Sequence, residues 1–182
     1  MKDAEITNDS KNDQNKGGRD MAREEVYQAT KKIFGLYGAF FDLVAQQIGT
    51  ERALDLHVKA HERMGILAGK LIKEKLGSER PDLQRLGGVL QESNLSIGIE
   101  SKLADTIPTQ ILFHNLQCPL HDGFRMGGLD DRMAEILCQR GAPAKLGSTL
   151  TYLSPDIKYS LRYYRTKPQE PCEELIGLTQ EG

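Results

Sequence analysis

Between Arg23 and Ile48 the apolar residues Val26, Ile33, Leu36, Tyr37, Phe40, Phe41, Val44 and Ile48 recur at three- and four-residue steps. That period predicts an amphipathic helix. Gly49 stops it, Thr50 can cap a second helix, and Glu51 suits the first turn of that helix. The second helix, "TERALDLHVKAHERMGILAGKLIKEKLG", is predicted to run to Gly77. "RPDLQRLGGVLQES" reads as a shorter helix with Pro81 at or near its first turn.

The period then changes to two. In "NLSIGIESKL" Leu95, Ile97 and Ile99 alternate with Ser96, Gly98 and Glu100, which predicts a half-buried strand. "TQILFHNLQC" predicts a second strand, joined through a turn near Pro108. A helix from about Leu129 to Arg140 is expected after the Gly127–Gly128 breaker. "DIKYSLRYYRT" and "CEELIGL" then read as two strands joined by "KPQEP". The expected architecture is α+β: an N-terminal helical layer packed on an antiparallel sheet with one inserted helix.

Composition changes this picture only at the start of the chain. Residues 1–20 are rich in Asn, Asp, Lys and Gly and contain no aromatic residue. They are read as a disordered tail, because such a segment buries too little to offset its ordering entropy. Residues 21–182 are read as a single α+β domain. The net charge of −2 gives no basic excess for neutralising phosphates, which argues against nucleic acid as a partner. No apolar run approaches the ~20 residues of a membrane span, and the N-terminus lacks the apolar core of a signal peptide. Three widely spaced cysteines argue for free or liganded thiols in a cytoplasmic protein. The first helix carries aromatics (Phe34, Tyr37, Phe40, Phe41) beyond the needs of one packed face, so a homodimer is a candidate assembly.

The candidate chemistry lies in two places. On a helical wheel for the second helix, Leu54, Val58, Ala60, Met64, Leu67, Ala68, Leu71 and Ile72 share a broad apolar arc. His57 and His61 fall in the middle of that arc, spaced i, i+4, so their rings stack. Such a pair is either two satisfied core histidines or the helical half of a metal site. Gly65 and Gly69 beside them suggest tight packing of a neighbouring element. The second place is "HNLQCPLH", residues 114–121, which holds half of the four histidines and one of the three cysteines. On an extended chain Leu112, His114, Leu116 and Cys118 share a face, so His114 and Cys118 point the same way if the strand persists that far. Pro119 ends the strand. His121, three residues after Cys118, suits either a zinc ligand pair or a thiol with its base. Cys138 and Cys172 are each read as small buried hydrophobes or as further members of the same set. His57, His61, Cys118, His121, Cys138 and Cys172 are therefore the candidate metal ligands, with zinc or iron as the candidate metals.

The second half has a recognisable grammar: Cys118–Pro119 after a strand, Cys138 on a helix, Pro155–Ile157 opening a strand that ends near Arg165–Thr166, and a late Cys172. With the preceding "MGILAGK" stretch, this resembles the L-2-amino-thiazoline-4-carboxylic acid hydrolase-like family and, more distantly, small-molecule-binding domains of the vinyl-reductase type. The resemblance implies hydrolytic opening of a cyclic amidine-like ring, or small-molecule binding with cysteines that serve a metal. Under the hydrolytic expectation, Cys118 is the nucleophile or a metal ligand, and His121 is the general base or a ligand. His57 and His61 are ligands or proton donors. His114 and Arg165 are candidate substrate contacts, Arg165 through a bidentate pair with a carboxylate. A non-catalytic binding module and a purely structural protein remain the competing readings.

Overall fold

The computed structural model describes residues 9–77, 82–165, 167 and 169–179. Three helices come first: α1 (Asp9–Ile48), α2 (Thr50–Leu76) and α3 (Leu83–Ser96). Strands β1 (Glu100–Ile107) and β2 (Gln110–Gln117) follow, then helices α4 (Pro119–Met126) and α5 (Asp131–Leu153), and finally β3 (Ile157–Tyr163) and β4 (Cys172–Leu178). The strands form one antiparallel sheet in the order β1-β2-β4-β3. The architecture is the expected α+β arrangement of helices on a four-stranded antiparallel sheet.

Four local expectations are corrected. The helix α1 extends back to Asp9, so the backbone of residues 9–20 continues a helix instead of forming a tail. Adding residues to an existing helix avoids the nucleation cost. Residues 1–8 and Pro81 lie outside the described residues. The alternation over Leu95, Ile97 and Ile99 is no strand: Leu95 and Ser96 end α3, and the strand begins only at Glu100. Gly98, at φ +78°, turns the chain there, and the Asn94 carbonyl accepts from the Ile99 amide at 2.9 Å. Two helices, not one, are inserted after β2. Pro119 ends the strand but also occupies the first turn of α4, and the Gly127–Gly128 break separates α4 from α5. Finally, α5 runs through Pro143 to Leu153, well beyond the expected Arg140. Its packing along α2 outweighs the interior proline's cost of about 3 kcal/mol.

The sheet covers only one face with helices. Ile111, Phe113 and Asn115 of β2 are buried while Leu112, His114 and Leu116 are half-exposed. Ile111, Phe113, Ile157 and Ile176 pack against Ile72, Leu76, Leu86 and Leu90 of α2 and α3, with Leu150 of α5. A second cluster joins the helices to one another through Phe41, Leu54, Phe124, Ala134 and Leu137. The buried stripe of α2 is narrower than the wheel implies. Ala53, Leu54, His57, Gly65, Gly69, Ile72 and Leu76 are buried, whereas Ala60, Met64, Leu67 and Leu71 are exposed. Along the stripe through Gly65 and Gly69 a single helix, α5, covers α2, and one covering helix needs only one stripe there.

Two helix pairs touch backbone to backbone. A Cβ at Gly65 would lie 2.2 Å from the Lys145 carbonyl oxygen of α5, and one at Gly123 would lie 2.7 Å from the Lys31 carbonyl oxygen of α1. Thr149 strengthens the first contact by donating to the Gly65 and Lys145 carbonyls at 3.0 and 2.8 Å. Gly88 on α3, in contrast, has open space where a Cβ would sit. Gly65→Ala is therefore expected to lower unfolding free energy by about 2–3 kcal/mol, while Gly88→Ala raises it by about 0.5–1 kcal/mol. Urea denaturation of the two variants tests this; equal effects would remove the close α2–α5 approach from the account.

Candidate functional site

A cavity of about 140 Å³ lies between the helices and the covered face of the sheet. Phe34 of α1, His61 of α2, Leu120 and Phe124 of α4, and Leu137, Cys138, Ala142, Lys145 and Leu146 of α5 form one side. Ile99, Asn115, Cys118, Leu161, Tyr164, Arg165, Cys172 and Glu174 form the other, with His121 at the start of α4. All three cysteines, which are free thiols, thus reach one cavity although 20 and 34 residues separate them along the chain. The β2–β4 register produces part of this, pairing Asn115 with Cys172. The turn from β2 into α4 brings in Cys118, and α5 supplies Cys138.

The two helix histidines part company. His57 is buried with both ring nitrogens engaged: Tyr37 Oη lies 2.8 Å from Nδ1, and Nε2 lies 2.9 Å from the Leu137 carbonyl. The carbonyl can only accept, so Nε2 carries the proton and Nδ1 accepts from the tyrosine. Burial, together with the neighbouring His61, lowers its pKa to about 4. His57 is a neutral core histidine: its one N–H is spent on the Leu137 carbonyl and its other nitrogen on Tyr37, so none is left for a metal or a substrate. His61 does reach the cavity. Its Nδ1 is bound to the His57 carbonyl at 2.9 Å, which fixes the proton there and leaves Nε2 as the basic nitrogen. Burial lowers the pKa of His61 as well.

His114 points away from the cavity. The strand does not keep its parity through Cys118; there the chain turns into α4, so Cys118 swings to the face of Asn115, and His114 meets Glu173 at 3.4 Å on the open face. Arg165 is buried instead of reaching for substrate. Its Nη1 and Nη2 donate to the Leu116 and Asn115 carbonyls at 3.0 and 2.6 Å, and its Nε donates to Cys172 Sγ at 3.4 Å. The guanidinium braces the end of β2. His121 Nδ1 lies 3.3 Å from Asp122, which also accepts from the Tyr27 hydroxyl. These contacts, that with His121 foremost, hold the Asp122 carboxyl down at about 2.

Burial sets the state of the remaining groups. It pushes the Cys118 thiol up to about 11 and Cys138 well above its usual value, so both are thiols at neutral pH. It also raises Glu174 and lowers Lys145, two cavity groups whose charges attract each other. Asn115, Glu174 and Lys145 were not singled out from sequence. The period-two pattern of "CEELIGL" did place Glu174 on the face of Cys172. The buried Tyr164 hydroxyl on the cavity wall lies beside the Cys138 thiol, whose pKa its hydrogen bond lowers against the larger effect of burial. Among the described residues no three His, Cys, Asp or Glu side chains converge in an arrangement that would hold a metal ion. The zinc or iron set expected from spacing does not fit this site.

No protein-family model matches the chain, and no curated protein matches it. No helix among the described residues is long and apolar enough to cross a membrane.

Two measurements follow from these protonation states. The unfolded chain takes up a proton at position 57 near pH 6.5, the native state only near 4. His57 thus contributes stability that is complete above pH 6.5 and lost as pH falls toward 4, on the order of 3 kcal/mol. His61 acts in the same direction and Glu174 against it. His57→Gln is expected to be less stable at pH 7.5 but to lose less between pH 7 and 5; an unchanged pH dependence would count against a neutral core histidine. At pH 8 the native Cys118 thiol is expected to alkylate roughly a hundredfold more slowly than in the denatured chain, and Cys138 more slowly than in the denatured chain as well. Mass-spectrometric mapping of iodoacetamide adducts reads this directly, and fast native labelling would overturn it.

Proposed function

We propose that the chain is a small-molecule-binding module whose ligand occupies the cavity between the helices and the sheet. The observation that carries this reading is the cavity itself, where an apolar lining from helices and sheet surrounds the polar side chains of His61, Lys145, Tyr164 and Glu174. At about 140 Å³ the cavity is far smaller than ordinary drug-sized sites and close to cavities that hold one benzene-sized molecule. The ligand is therefore compact, on the order of six to ten non-hydrogen atoms. Phe34, Phe124, Leu137 and Leu161 offer it an apolar bed, and Lys145, His61, Tyr164 and Glu174 its polar contacts. A cytoplasmic setting suits the three free thiols.

A hydrolase acting on a small C–N-bonded substrate, as the resemblance implies, is the second reading. One contact favours it: Arg165 Nε on Cys172 Sγ, the arrangement in which a cation steadies a developing thiolate. In that reading the nucleophile is Cys172, because burial keeps Cys118 protonated.

The test is a thermal-shift and calorimetric screen of fragments of up to about ten non-hydrogen atoms, covering carboxylates, amides and amines. Tyr164→Phe, which removes one polar group from the cavity wall, is expected to weaken a bound fragment about tenfold. Ala142→Leu, which fills the cavity, is expected to abolish binding. Fragments that bind both variants as they bind the parent would sink the reading. Turnover of a bound thiazoline carboxylate that is lost in Cys172→Ser would favour the hydrolase.

A further inference from the structure

The helix α1 carries two apolar stripes on opposite sides. One, through Tyr27, Phe34, Gly38 and Phe41, faces α4 and the helical cluster. The other runs through Val26, Ala29, Ile33, Leu36, Phe40 and Leu43 and faces outward. Ile33, Leu36, Phe40 and Leu43 are 66%, 75%, 61% and 60% exposed, far beyond the scattered apolar residues of an ordinary surface.

The spacing of this second stripe alternates strictly: three, four, three, four and three residues. That is the heptad seam of a coiled coil, with Val26, Ile33 and Phe40 at one core position and Ala29, Leu36 and Leu43 at the other. A mean period of 3.5, shorter than the 3.6 of a straight helix, matches a partner helix with the same period. Toward the N-terminus the seam passes through one small residue, Ala22, and then meets the polar Arg19 and Asn15, so it has a defined end.

We infer that α1 pairs with α1 of a second copy of this chain, each seam filling the other. A second copy is the occupant that supplies a seam of identical period and length. The area is sufficient: the open side chains offer roughly 600 Å² per copy, or about 1,200 Å² in total, the lower edge of stable interfaces. The flanking residues Arg23, Glu25 and Lys32 carry both signs, so like charges do not dominate the approach. This inference does not depend on the cavity or its ligand.

Sedimentation equilibrium of the full chain between 1 and 100 µM tests it. The expected result is twice the chain mass at 100 µM, dissociating on dilution. Leu36→Glu combined with Phe40→Glu alters exposed positions, so it should keep the parent helical circular dichroism while sedimenting as a monomer at 100 µM. Leu67→Glu combined with Leu71→Glu, on the exposed side of α2, should leave the dimer intact. A monomeric parent protein at 100 µM overturns the proposal. So does a dimer that survives the α1 substitutions or is broken by those in α2.

Discussion

The imidazole of His57 is where three helices are fastened together. It stands on α2, accepts from Tyr37 of α1 and donates to the Leu137 carbonyl of α5, and Gly141 gives it room, since a Cβ there would lie 2.6 Å from Nε2. A buried imidazole with either nitrogen unpaired would cost more than the pairing returns, so both contacts must form together or not at all. That requirement fixes the rotation of α2 and sets α5 close along it. It thereby decides which residues of α5 line the cavity: Cys138, Ala142 and Lys145 lie one to eight residues beyond the anchored Leu137 carbonyl. His61, one turn further along α2, packs on His57 with ring centroids 4.1 Å apart and the rings tilted by 46°. The cavity inherits its shape from a histidine that does not enter it.

Within the cavity, burial prevails over charge nearly everywhere. Cys118 and Cys138 are held as thiols, His61 is held toward neutrality, and burial opposes the charges of Glu174 and Lys145. Arg165 cannot take that route, because a guanidinium does not give up its proton in a protein. It is accommodated by spending its donors on two carbonyls of β2 and on the Cys172 sulfur. The same charge that holds the strand end thus also touches one thiol, and Cys172 alone of the three cysteines has a hydrogen-bonded cation beside it. A wall on which burial opposes charge suits binding, while one thiol under a fixed cation is where reactivity would start.

The elements with strong periodicity were legible in the sequence. The helices up to Ile48 and Leu76, the β2 strand around "ILFHNL" and the last two strands follow their patterns closely, because each has one face that must be buried. Errors came where two elements meet. Leu95, Ile97 and Ile99 mimic alternation although they belong to a helix end, a turn and the residue before a strand. The parity argument for His114 and Cys118 failed at the same kind of junction. The convergence of Cys118, Cys138 and Cys172 was offered from the cysteine set alone, without geometry to place it, since it depends on the β2–β4 register and on α5 passing through Pro143, neither of which leaves a local mark. Arg165 was misread for a related reason: its carbonyl partners lie 49 and 50 residues away in sequence.

Apolar arcs pose the opposite difficulty, for sequence shows that a face is apolar but not what covers it. The wheel of α2 counted Met64, Leu67 and Leu71 with the core, yet the one helix packed there, α5, needs only the stripe through His57, Gly65 and Gly69. The glycines decide this. They draw α5 so close that its backbone fills the groove, and residues one step around the helix are left outside. On α1 the same economy operates against α4 at Gly123, but the outward residues keep strict heptad spacing, which a face left merely uncovered does not require. An exposed face that is merely left over should lose its period; one that keeps it is under a geometric requirement of its own.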